Sequence, residues 1–246
     1  MSLGDHGRAP SRIPRPPPPM RHVFVGIPFI GHWLTAGIAT FAEACGYQNA
    51  LERDVRFTFR PLAGSSVISF NVEYMRNCLV GMARADPTVT DLMFIDSDTM
   101  PGPDAMNLLT LDADIVAGVY PIPDARFGQV WSVYEAVGEK YRHMPTLPTA
   151  PFEAGGAGTG AMIIKRRVLD DPRLHFAPPV AGVPCVFRTP RHPDGSVEYT
   201  DDLDFCRRAR AAGYRIVVDP RVQFGHVKTR VYTGDGASAP AIEAAS

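Results

Sequence analysis

The amino-acid sequence predicts an α/β domain built around a mostly parallel central sheet. Short, continuous apolar runs alternate along the chain with segments whose apolar residues recur at three- and four-residue steps. Runs of the first kind are typical of strands buried on both faces, and segments of the second kind are typical of the helices that cover them. The chain has 246 residues, of which 45% are hydrophobic and 21% are charged, and it shows no internal repeat. We therefore expect one sizeable core and no second domain.

The predicted elements follow one another in a regular order. The strands are expected at 23–27, 56–59, 92–95, 115–119, 161–164 and 214–218. The helices are expected at 33–45, from Ser69 or Asn71 to Asp86-Pro87, at 103–109, near Val168, and from Thr200 or Asp201 to Gly213. The buried face of the second helix is expected to carry Val72, Met75, Leu79 and Met82. A turn at Asp219-Pro220 is expected to end the last strand.

Both ends of the chain differ from its central part. Residues 1–20 contain a run of prolines and few apolar side chains, so we expect a disordered tail there. Residues 233–246 are mostly small and are expected to form a flexible tail, which leaves 21–232 as the folded domain. The pattern is least regular between 121 and 151, which predicts an inserted flap whose aromatic residues either line a binding pocket or form a small satellite core. These aromatic residues are Phe127, Trp131, Tyr134 and Tyr141.

Charge and cysteine content exclude several classes of protein. The net charge is −1 and the isoelectric point is about 6.6, so bulk electrostatic attraction to nucleic acid is not expected. No Cys-x-x-Cys pair occurs, which favours reduced, buried thiols over a zinc or redox site at Cys45, Cys78, Cys185 and Cys206. No apolar run is long enough to span a bilayer, and residues 1–20 lack the apolar core of a signal peptide. We therefore expect a cytoplasmic protein.

The first candidate site residues are Asp96, Ser97 and Asp98, which directly follow the predicted strand 92–95. Ligands of open parallel sheets bind beyond the carboxyl ends of the strands. Two carboxylates at positions i and i+2 of an extended chain share one face, so they can converge on a hard cation such as Mg²⁺. An Asp-x-Asp sequence is common, and capping of the short helix at Pro103 is the alternative interpretation.

A second group of acids lies at the start of the predicted helix that ends at Gly213. Asp201, Asp202 and Asp204 fall in its first turn, where the helix dipole favours negative charge. Capping explains one or two of these acids, but it does not explain why three are clustered. Crowding raises the proton affinity of one carboxylate, which suits a general base that faces a hydroxyl group.

Two further motifs lie close to predicted strands. His226 follows the last strand and Gly225, where an imidazole can bind ions such as Mn²⁺; a satisfied surface or core histidine is the alternative. The glycine-rich segment 155–161 either lets the backbone approach a phosphate or a sugar, or forms a flexible hinge. It lacks the Lys-Ser/Thr pair of a P-loop.

Taken in order, four blocks of the chain resemble glycosyltransferases of the A fold, and within them the family 2 group. The blocks are FIDSDTMPGPDAMNLL, DADIVAGVYP, GTGAMIIKRRVLD and YTDDLDFCRRARAAGYRIVVDPRVQFGH, and the likeness covers roughly residues 22–230. It implies a single Rossmann-like, nucleotide-sugar-binding domain. It also implies a metal-dependent glycosyltransferase that moves a sugar from a nucleoside-diphosphate sugar to an acceptor hydroxyl, with inversion of configuration.

The resemblance assigns donor-side roles to individual residues. Asp98 would bind the divalent metal, Mn²⁺ or Mg²⁺, that holds the donor diphosphate, and His226 would be a further ligand of that metal. Asp96 would contact the donor ribose or the same metal. The remaining donor-binding residues that the resemblance implies are Pro28, Arg76, Asn77, Ser97 and Gly160.

On the acceptor side, the resemblance points to the acids of the late helix. Asp202 matches the second acid of the Glu-Asp pair that supplies the catalytic base of inverting members. Asp201 stands where glutamate is usual, which makes it the other candidate for the base. Trp131 and Asp204 are expected to contact the acceptor.

The resemblance also implies the general classes of the donor and the acceptor, and two alternative functions remain open. A UDP-sugar is the expected donor, and the acceptor is a carbohydrate, a lipid-linked glycan or a hydroxylated nucleic-acid base. Two basic clusters, at 165–167 and at Arg207, Arg208 and Arg210, either meet phosphates or form solvated faces. The alternative functions are a nucleotidyltransferase acting on a sugar phosphate and a non-catalytic sugar- or nucleotide-binding module.

Overall fold

The computed structural model describes residues 20–29, 55–63, 72–124, 127–177 and 182–227. The predicted helix 33–45, the predicted cap at Ser69 or Asn71, and both predicted tails except for Met20 lie outside these ranges. No helix in the described part of the chain is long and apolar enough to cross a membrane. The described cysteines are free thiols, as predicted, and Cys45 lies outside the described residues.

The strands and helices follow the chain in an order close to the predicted one. The strands are β1 (Arg21–Phe29), β2 (Val55–Ala63), β3 (Asp91–Ile95), β4 (Thr99–Pro101), β5 (Ile115–Val119), β6 (Pro121–Asp124), β7 (Gly128–Trp131), β8 (Val133–Val137), β9 (Lys140–His143), β10 (Phe152–Glu153), β11 (Gly156–Ala157), β12 (Ala161–Lys165) and β13 (Ile216–His226). The α-helices are α1 (Val72–Ala85), α2 (Arg166–Leu169) and α3 (Asp201–Ala211). Two 3₁₀-helices span Pro103–Thr110 and Pro172–Leu174.

The central sheet has the strand order β10-β13-β5-β12-β3-β1-β2, and β4 pairs with the far end of β13. Strand β1 runs parallel to β2 and β3, and β13 runs parallel to β5. Strand β12 lies between β3 and β5 and is antiparallel to both, so β5 has the same direction as β3. The predicted mostly parallel sheet is therefore confirmed, with β12 and the short β10 as its reversed members. The carboxyl ends of the parallel strands meet at one edge, where ligands of such sheets bind.

Both faces of the sheet are buried, which explains why its strands are continuous apolar runs. Phe94 of β3 packs in a core cluster with Leu79 of α1, whereas its neighbour Ile95 packs in a second cluster with Leu108. Successive side chains of a strand point to opposite faces of the sheet. Helices α1 and α3 therefore cover one face, and the 3₁₀-helix Pro103–Thr110 covers the other.

Helix α1 carries only part of the buried face that its sequence predicts. Met75 and Leu79 are buried as predicted, but Met82 is 44% exposed, so the prediction is wrong at that position. The buried face turns instead toward Arg76 and Asn77, which are polar. A sequence pattern assigns polar side chains to the surface, but the interior accepts them where other groups compensate their charge and hydrogen-bonding needs.

Strand β13 continues past the predicted turn at Asp219-Pro220, so that prediction is wrong. The pairing of β13 with β5 changes register between Val218 and Gln223, and Pro220 lies inside this irregularity. Proline is tolerated in a strand at such a bulge because no ladder hydrogen bond requires its missing N–H. Beyond the bulge, β13 pairs with β4 and places His226 opposite Thr99.

The segment 121–151 is more regular than its sequence predicts. Strands β6 and β7 form one antiparallel hairpin, β8 and β9 form another, and β11 pairs with β8. Gly128 and Gly138 have φ values of 71° and 60° near the two turns, a region that glycine adopts without strain. The strands of the hairpins are four or five residues long, too short for a sequence period to be recognised.

Candidate active site

The turn that follows β3 presents Asp96, Ser97 and Asp98 at the carboxyl edge of the sheet. It is closed by Thr99, whose backbone N–H donates to the Asp96 carbonyl at 3.0 Å. The buried Thr99 hydroxyl lies 2.9 Å from both the Asp96 carbonyl and the Gly160 carbonyl. These bonds tie the turn to the glycine-rich segment before β12, so the acids occupy a fixed position at the end of the sheet.

Arg76 joins this turn to the start of α3. Its guanidinium donates to both carboxylate oxygens of Asp96 at 2.9 and 3.1 Å, and to Asp201 at 2.5 Å. The residue is 5% exposed, and burial alone would lower the pKa of its guanidinium. The carboxylates of Asp201, Asp96 and Asp202 outweigh that effect and raise the pKa. The expected donor-binding arginine is thus also a bridge between two acidic segments.

Asp202 follows this bridge in the first turn of α3. Of the two residues predicted to open the helix, Thr200 is the N-cap, and its hydroxyl donates to the Asp202 carboxylate, which also accepts the Leu203 N–H at 2.8 Å. Burial and the neighbouring charge of Asp201 raise the pKa of Asp202 to about 6, although Arg76 acts in the opposite direction. A carboxylate with this pKa can accept a proton near neutral pH.

Asp98 and His226 form the second pair at this edge. His226 Nε2 lies 3.0 Å from an Asp98 carboxylate oxygen, and its Nδ1 lies 2.6 Å from the Pro121 carbonyl. Because Nδ1 must donate to that carbonyl, the lone pair of a neutral imidazole points from Nε2 toward the carboxylate. A proton on Nε2 would donate to the carboxylate, whereas a metal ion would be bound by the two groups as adjacent ligands, since atoms 3.0 Å apart leave no room for a metal ion between them. A carbonyl on the other ring nitrogen is the usual orientation of a metal-binding histidine.

The expected trio of metal ligands is not assembled in the described part of the chain. Asp98 and His226 are adjacent, but Asp96 directs both of its oxygens toward Arg76. No group of three or more histidine, cysteine, aspartate or glutamate side chains among the described residues is arranged to hold a metal ion. A carboxylate oxygen and an imidazole nitrogen are nevertheless ligand types that a divalent cation accepts. Asp98 and His226 could therefore supply two protein ligands, with substrate oxygens completing the coordination shell.

Tyr120 is a site residue that the sequence motifs did not reveal. Its ring packs edge-on against His226 with 5.4 Å between centroids. Burial raises the pKa of Tyr120 well above its usual value, and the charges of Asp96 and Asp202 add to the effect. Tyr120 lies one residue beyond β5. Because residues at the carboxyl ends of parallel strands face the ligand site, its position after the predicted strand could have identified it.

The glycine-rich segment is packed tightly at this edge, which argues against a hinge. A Cβ atom on Gly158 would lie 2.1 Å from the Tyr120 hydroxyl, and one on Gly160 would lie 2.9 Å from the Thr99 side chain and 3.1 Å from an Asp96 oxygen. Glycine is therefore required at both positions for the close approach of backbone to side chain. Of the implied donor-binding residues, Gly160 and Arg76 meet at Asp96.

Two expected site residues are engaged elsewhere. The Asn77 amide accepts the N–H groups of Val186 and Phe187 and donates to the Phe187 carbonyl, all at 2.8 Å, so it anchors that segment to α1. The Asp204 side chain has no exposed surface, and its carboxylate binds Arg188, Arg207 and Arg208. Because it is fully buried among these guanidiniums, Asp204 has no surface for contact with an acceptor.

Three other expected site residues stay near the edge or beside it. Pro28 is buried near the end of β1, where it pairs with Leu62 of β2. Ser97 is half-buried in the turn after β3. Trp131 lines a cavity of about 640 Å³ between the two hairpins. Tyr134, on the next strand, has a pKa raised by burial and by the charge of Asp202.

Comparisons with known proteins bear on the fold. No protein-family model matches the sequence, and no curated protein matches it. Among solved structures, A197 from STIV is similar over 91% of this chain and 95% of that chain, with a TM-score of 0.50 and 17% sequence identity. At this identity the likeness shows a shared fold.

Two further solved structures are similar at lower scores. The catalytic domain of Drosophila β1,4-galactosyltransferase 7, in complex with xylobiose, has a TM-score of 0.49 and 12% identity over 85% of this chain and 71% of that chain. The inositol-1-phosphate CTP transferase from T. maritima has a TM-score of 0.43 and 10% identity over 85% of this chain and 89% of that chain. The names of these neighbours include both a glycosyltransferase and a nucleotidyltransferase.

Proposed function

We propose that this protein is a metal-dependent glycosyltransferase, which transfers a sugar from a nucleoside-diphosphate sugar, a UDP-sugar first, to an acceptor hydroxyl with inversion. The observation that carries the proposal is the Arg76 bridge between Asp96 at the end of the sheet and Asp201 at the start of α3. The bridge holds Asp202, an acid of raised proton affinity, at the same edge as Asp98. A proton acceptor beside a cation site is what transfer from a diphosphate to a hydroxyl requires.

Asp98 and His226 are the residues that would hold the cation, Mn²⁺ or Mg²⁺. Their fit rests on the adjacent positions of His226 Nε2 and an Asp98 carboxylate oxygen, 3.0 Å apart, and on the Pro121 carbonyl, which accepts from Nδ1 and so directs the Nε2 lone pair toward the carboxylate. When bound, the cation neutralises the charge that develops on the departing diphosphate. Two protein ligands are sufficient, because such cations commonly complete their shell with substrate phosphates and water.

Asp202 is the proposed general base. At neutral pH most Asp202 side chains are ionised, and the raised pKa makes this carboxylate a better proton acceptor than an ordinary aspartate. Asp201 binds the Arg76 guanidinium at 2.5 Å, so its proposed role is to hold Arg76. Departure of the diphosphate and attack of the hydroxyl on opposite faces of the sugar would then invert its configuration.

A panel of nucleotide sugars, with and without Mn²⁺, tests the proposal through thermal shift and release of nucleoside diphosphate. We expect one donor to raise Tm in a metal-dependent manner and to be turned over. Asp98→Ala should weaken donor affinity in Mn²⁺ at least about tenfold. The matched control is Asp194→Ala, because Asp194 is an exposed acid that accepts the Ser196 N–H within its own loop and should not affect the donor.

Three results would contradict the proposal. Unchanged donor affinity of Asp98→Ala in Mn²⁺ would remove the metal assignment. Release of pyrophosphate from a nucleoside triphosphate and a sugar phosphate would establish a nucleotidyltransferase instead. Binding of a donor without turnover, under any metal condition, would favour a non-catalytic module.

A further inference from the structure

The two hairpins of segment 121–151 enclose a cavity that the proposed transfer step does not use. Its volume is about 640 Å³, which lies in the range of small-molecule sites. Its walls include aromatic and polar side chains, among them Phe127, Trp131, Tyr141, Gln129, Glu135 and Arg142. Aromatic faces beside a few polar groups suit a ligand that has both apolar and hydroxyl-bearing surfaces.

A sugar ring has both kinds of surface. The C–H groups on one face of a pyranose pack against an aromatic ring, while the hydroxyl groups around its edge need donors and acceptors. Phe127 is 72% exposed, so it presents a large aromatic side chain to solvent beside the cavity. Gln129 and Glu135 supply amide and carboxylate groups that can bond hydroxyls.

The charges around the cavity favour a neutral ligand. Within the described lining, the arginine is Arg142, and the Glu135 carboxylate lies 2.6 Å from its guanidinium. Of the basic clusters noted in the sequence, Arg166 donates to carbonyls at the end of α1 and Arg208 binds Asp204, whereas Arg210 acts on Tyr141 from outside the lining. Among the described lining residues, the carboxylates of Asp124 and Glu135 outnumber the guanidinium of Arg142, so the lining has no excess of arginine that would select a phosphate.

The cavity adjoins the proposed base. Tyr141, in its wall, packs edge-on against Tyr134 with 6.3 Å between ring centroids. Tyr141 also packs edge-on against Tyr199, just before α3, with 6.0 Å between ring centroids. A Cβ atom on Gly156 would lie 3.1 Å from Tyr141 and 3.0 Å from Leu203, so this wall of the cavity lies against the first turn of α3, which carries Asp202. A ligand that fills the cavity and also reaches Asp202 must extend past Tyr141, so an acceptor of more than one sugar ring suits this path.

We propose that the hairpin cavity binds a non-reacting sugar ring of a neutral oligosaccharide acceptor, whose reacting hydroxyl lies at Asp202 in the first turn of α3. The inference rests on the proposed glycosyltransferase function and names the acceptor class. Trp131 and Phe127 pack on the faces of the ring, and Gln129 bonds its hydroxyl groups. The site thus selects the acceptor through a part of the molecule that does not react.

The experiment measures sugar binding at the cavity without donor or transfer. Trp33→Phe leaves Trp131 as the only tryptophan of the chain, so its emission reports on the cavity. Maltose, cellobiose, lactose and, as an anionic probe, glucose 6-phosphate are titrated to ~50 mM, well above a millimolar Kd. We expect the Trp131 emission to change in a saturable way with at least one neutral disaccharide. We expect no such change with glucose 6-phosphate.

Matched variants in the same Trp33→Phe background separate the cavity from the surrounding surface. Phe127→Ala should raise the Kd for the disaccharide at least about tenfold, because it removes an aromatic contact at a mostly exposed position without disturbing the core. Lys140→Ala, an exposed position on the second hairpin that is outside the lining, should leave the Kd unchanged.

Several results would overturn the proposal. The first is a Trp131 emission that shows no saturable change with any neutral disaccharide. The second is a disaccharide Kd that Phe127→Ala leaves unaltered, and the third is an emission change with glucose 6-phosphate but with no neutral disaccharide. Donor-dependent release of nucleoside diphosphate is measured in parallel. Intact release without sugar binding defeats only the cavity assignment. Sugar binding without release for any donor defeats the transferase function and, with it, the acceptor role of the cavity, which would remain a sugar-binding site.

Discussion

Two acids of α3 lie two residues apart in opposite surroundings. Asp202 belongs to a group in which three carboxylates, including those of Asp96 and Asp201, act on the single guanidinium of Arg76. Asp204, on the other side of the helix, is a single buried carboxylate bound by three guanidiniums, those of Arg188, Arg207 and Arg208. Carboxylates outnumber guanidiniums around Asp202, whereas guanidiniums outnumber carboxylates around Asp204, although the two acids share one helical turn.

This ratio gives the two carboxylates opposite pKa shifts. Burial and the charge of Asp201 raise the pKa of Asp202 to about 6. Burial acts in the same direction on Asp204, but hydrogen bonds from Arg207 and Arg208 outweigh it and lower its pKa. An acid among other acids can exchange a proton near neutral pH, whereas an acid enclosed by guanidiniums stays ionised and supports the fold. The comparison separates a proposed base from a structural ion cluster.

Removal of the proposed base should have the largest effect. Asp202→Asn keeps the shape of the side chain but cannot accept the hydroxyl proton, so we expect kcat for transfer to fall by about 10²–10⁴-fold. Donor affinity should stay close to that of the wild type, because Asp98 and His226 are unchanged. Steady-state kinetics and donor titration check both points. A variant with near-wild-type kcat would move the base to Asp201.

Removal of the enclosed acid should affect stability instead of chemistry. Asp204→Ala leaves three guanidiniums without their shared partner, and the Arg208 side chain is only 10% exposed, so we expect the free energy of unfolding to fall by about 3 kcal/mol. Urea denaturation measures the change, with the exposed Asp194→Ala as control. Lost transfer with unchanged stability would contradict the structural role and restore the acceptor contact expected from the sequence.

The pH dependence of transfer should report the Asp202 environment. The base must be ionised to accept a proton, and its pKa is raised to about 6, so kcat should fall as pH drops through about 6. Below that value we expect a loss of about tenfold per pH unit. The measurement is kcat at saturating donor over roughly pH 5–8. A flat profile down to pH 5 would exclude an acid of raised pKa as the base.

The smallest effect should be a stability gain that accompanies the loss of activity. Ionised Asp202 is disfavoured in the folded protein, so Asp202→Asn should be more stable than the wild type at pH 7 by about 1–2 kcal/mol. The gain should decrease as the pH falls from about 6 and vanish below about pH 3, where the carboxyl is protonated in both folded and unfolded chains. Urea denaturation at the two pH values measures it. Asp204→Asn, the paired variant, should lose stability at pH 7.

Local patterns predicted much of the sheet and several site residues. The apolar runs located β3, β5 and β12, and the start of α3 was predicted at Thr200 or Asp201. The acids after β3 and at the start of α3 were found because strand ends and helix starts are visible in a few consecutive residues. Their positions at one edge of the sheet agree with that expectation.

Local patterns did not predict that neighbouring residues would have different roles. Arg76 and Asn77 were expected to act together on the donor, but Arg76 bridges two acids while Asn77 anchors the Val186–Phe187 backbone. Residues one apart on a helix point about 100° apart, so the packing around α1 decides what each one meets. The contact of Tyr120 with His226 and the pairing of β13 with β4 also join segments that are distant in the sequence, so neither was predicted.

By itself, the sequence determined which segments form strands and helices and which residue types stand at their ends. These choices depend on neighbours within a few positions, where periodicity, capping and turn chemistry act. Only the tertiary structure decided which charge each ionisable side chain meets. Arg76 binds partners 20 and 125 residues away along the chain, and the strength of such contacts depends on separation and burial in space. That is why Asp202 and Asp204, alike in the sequence, differ in the folded protein.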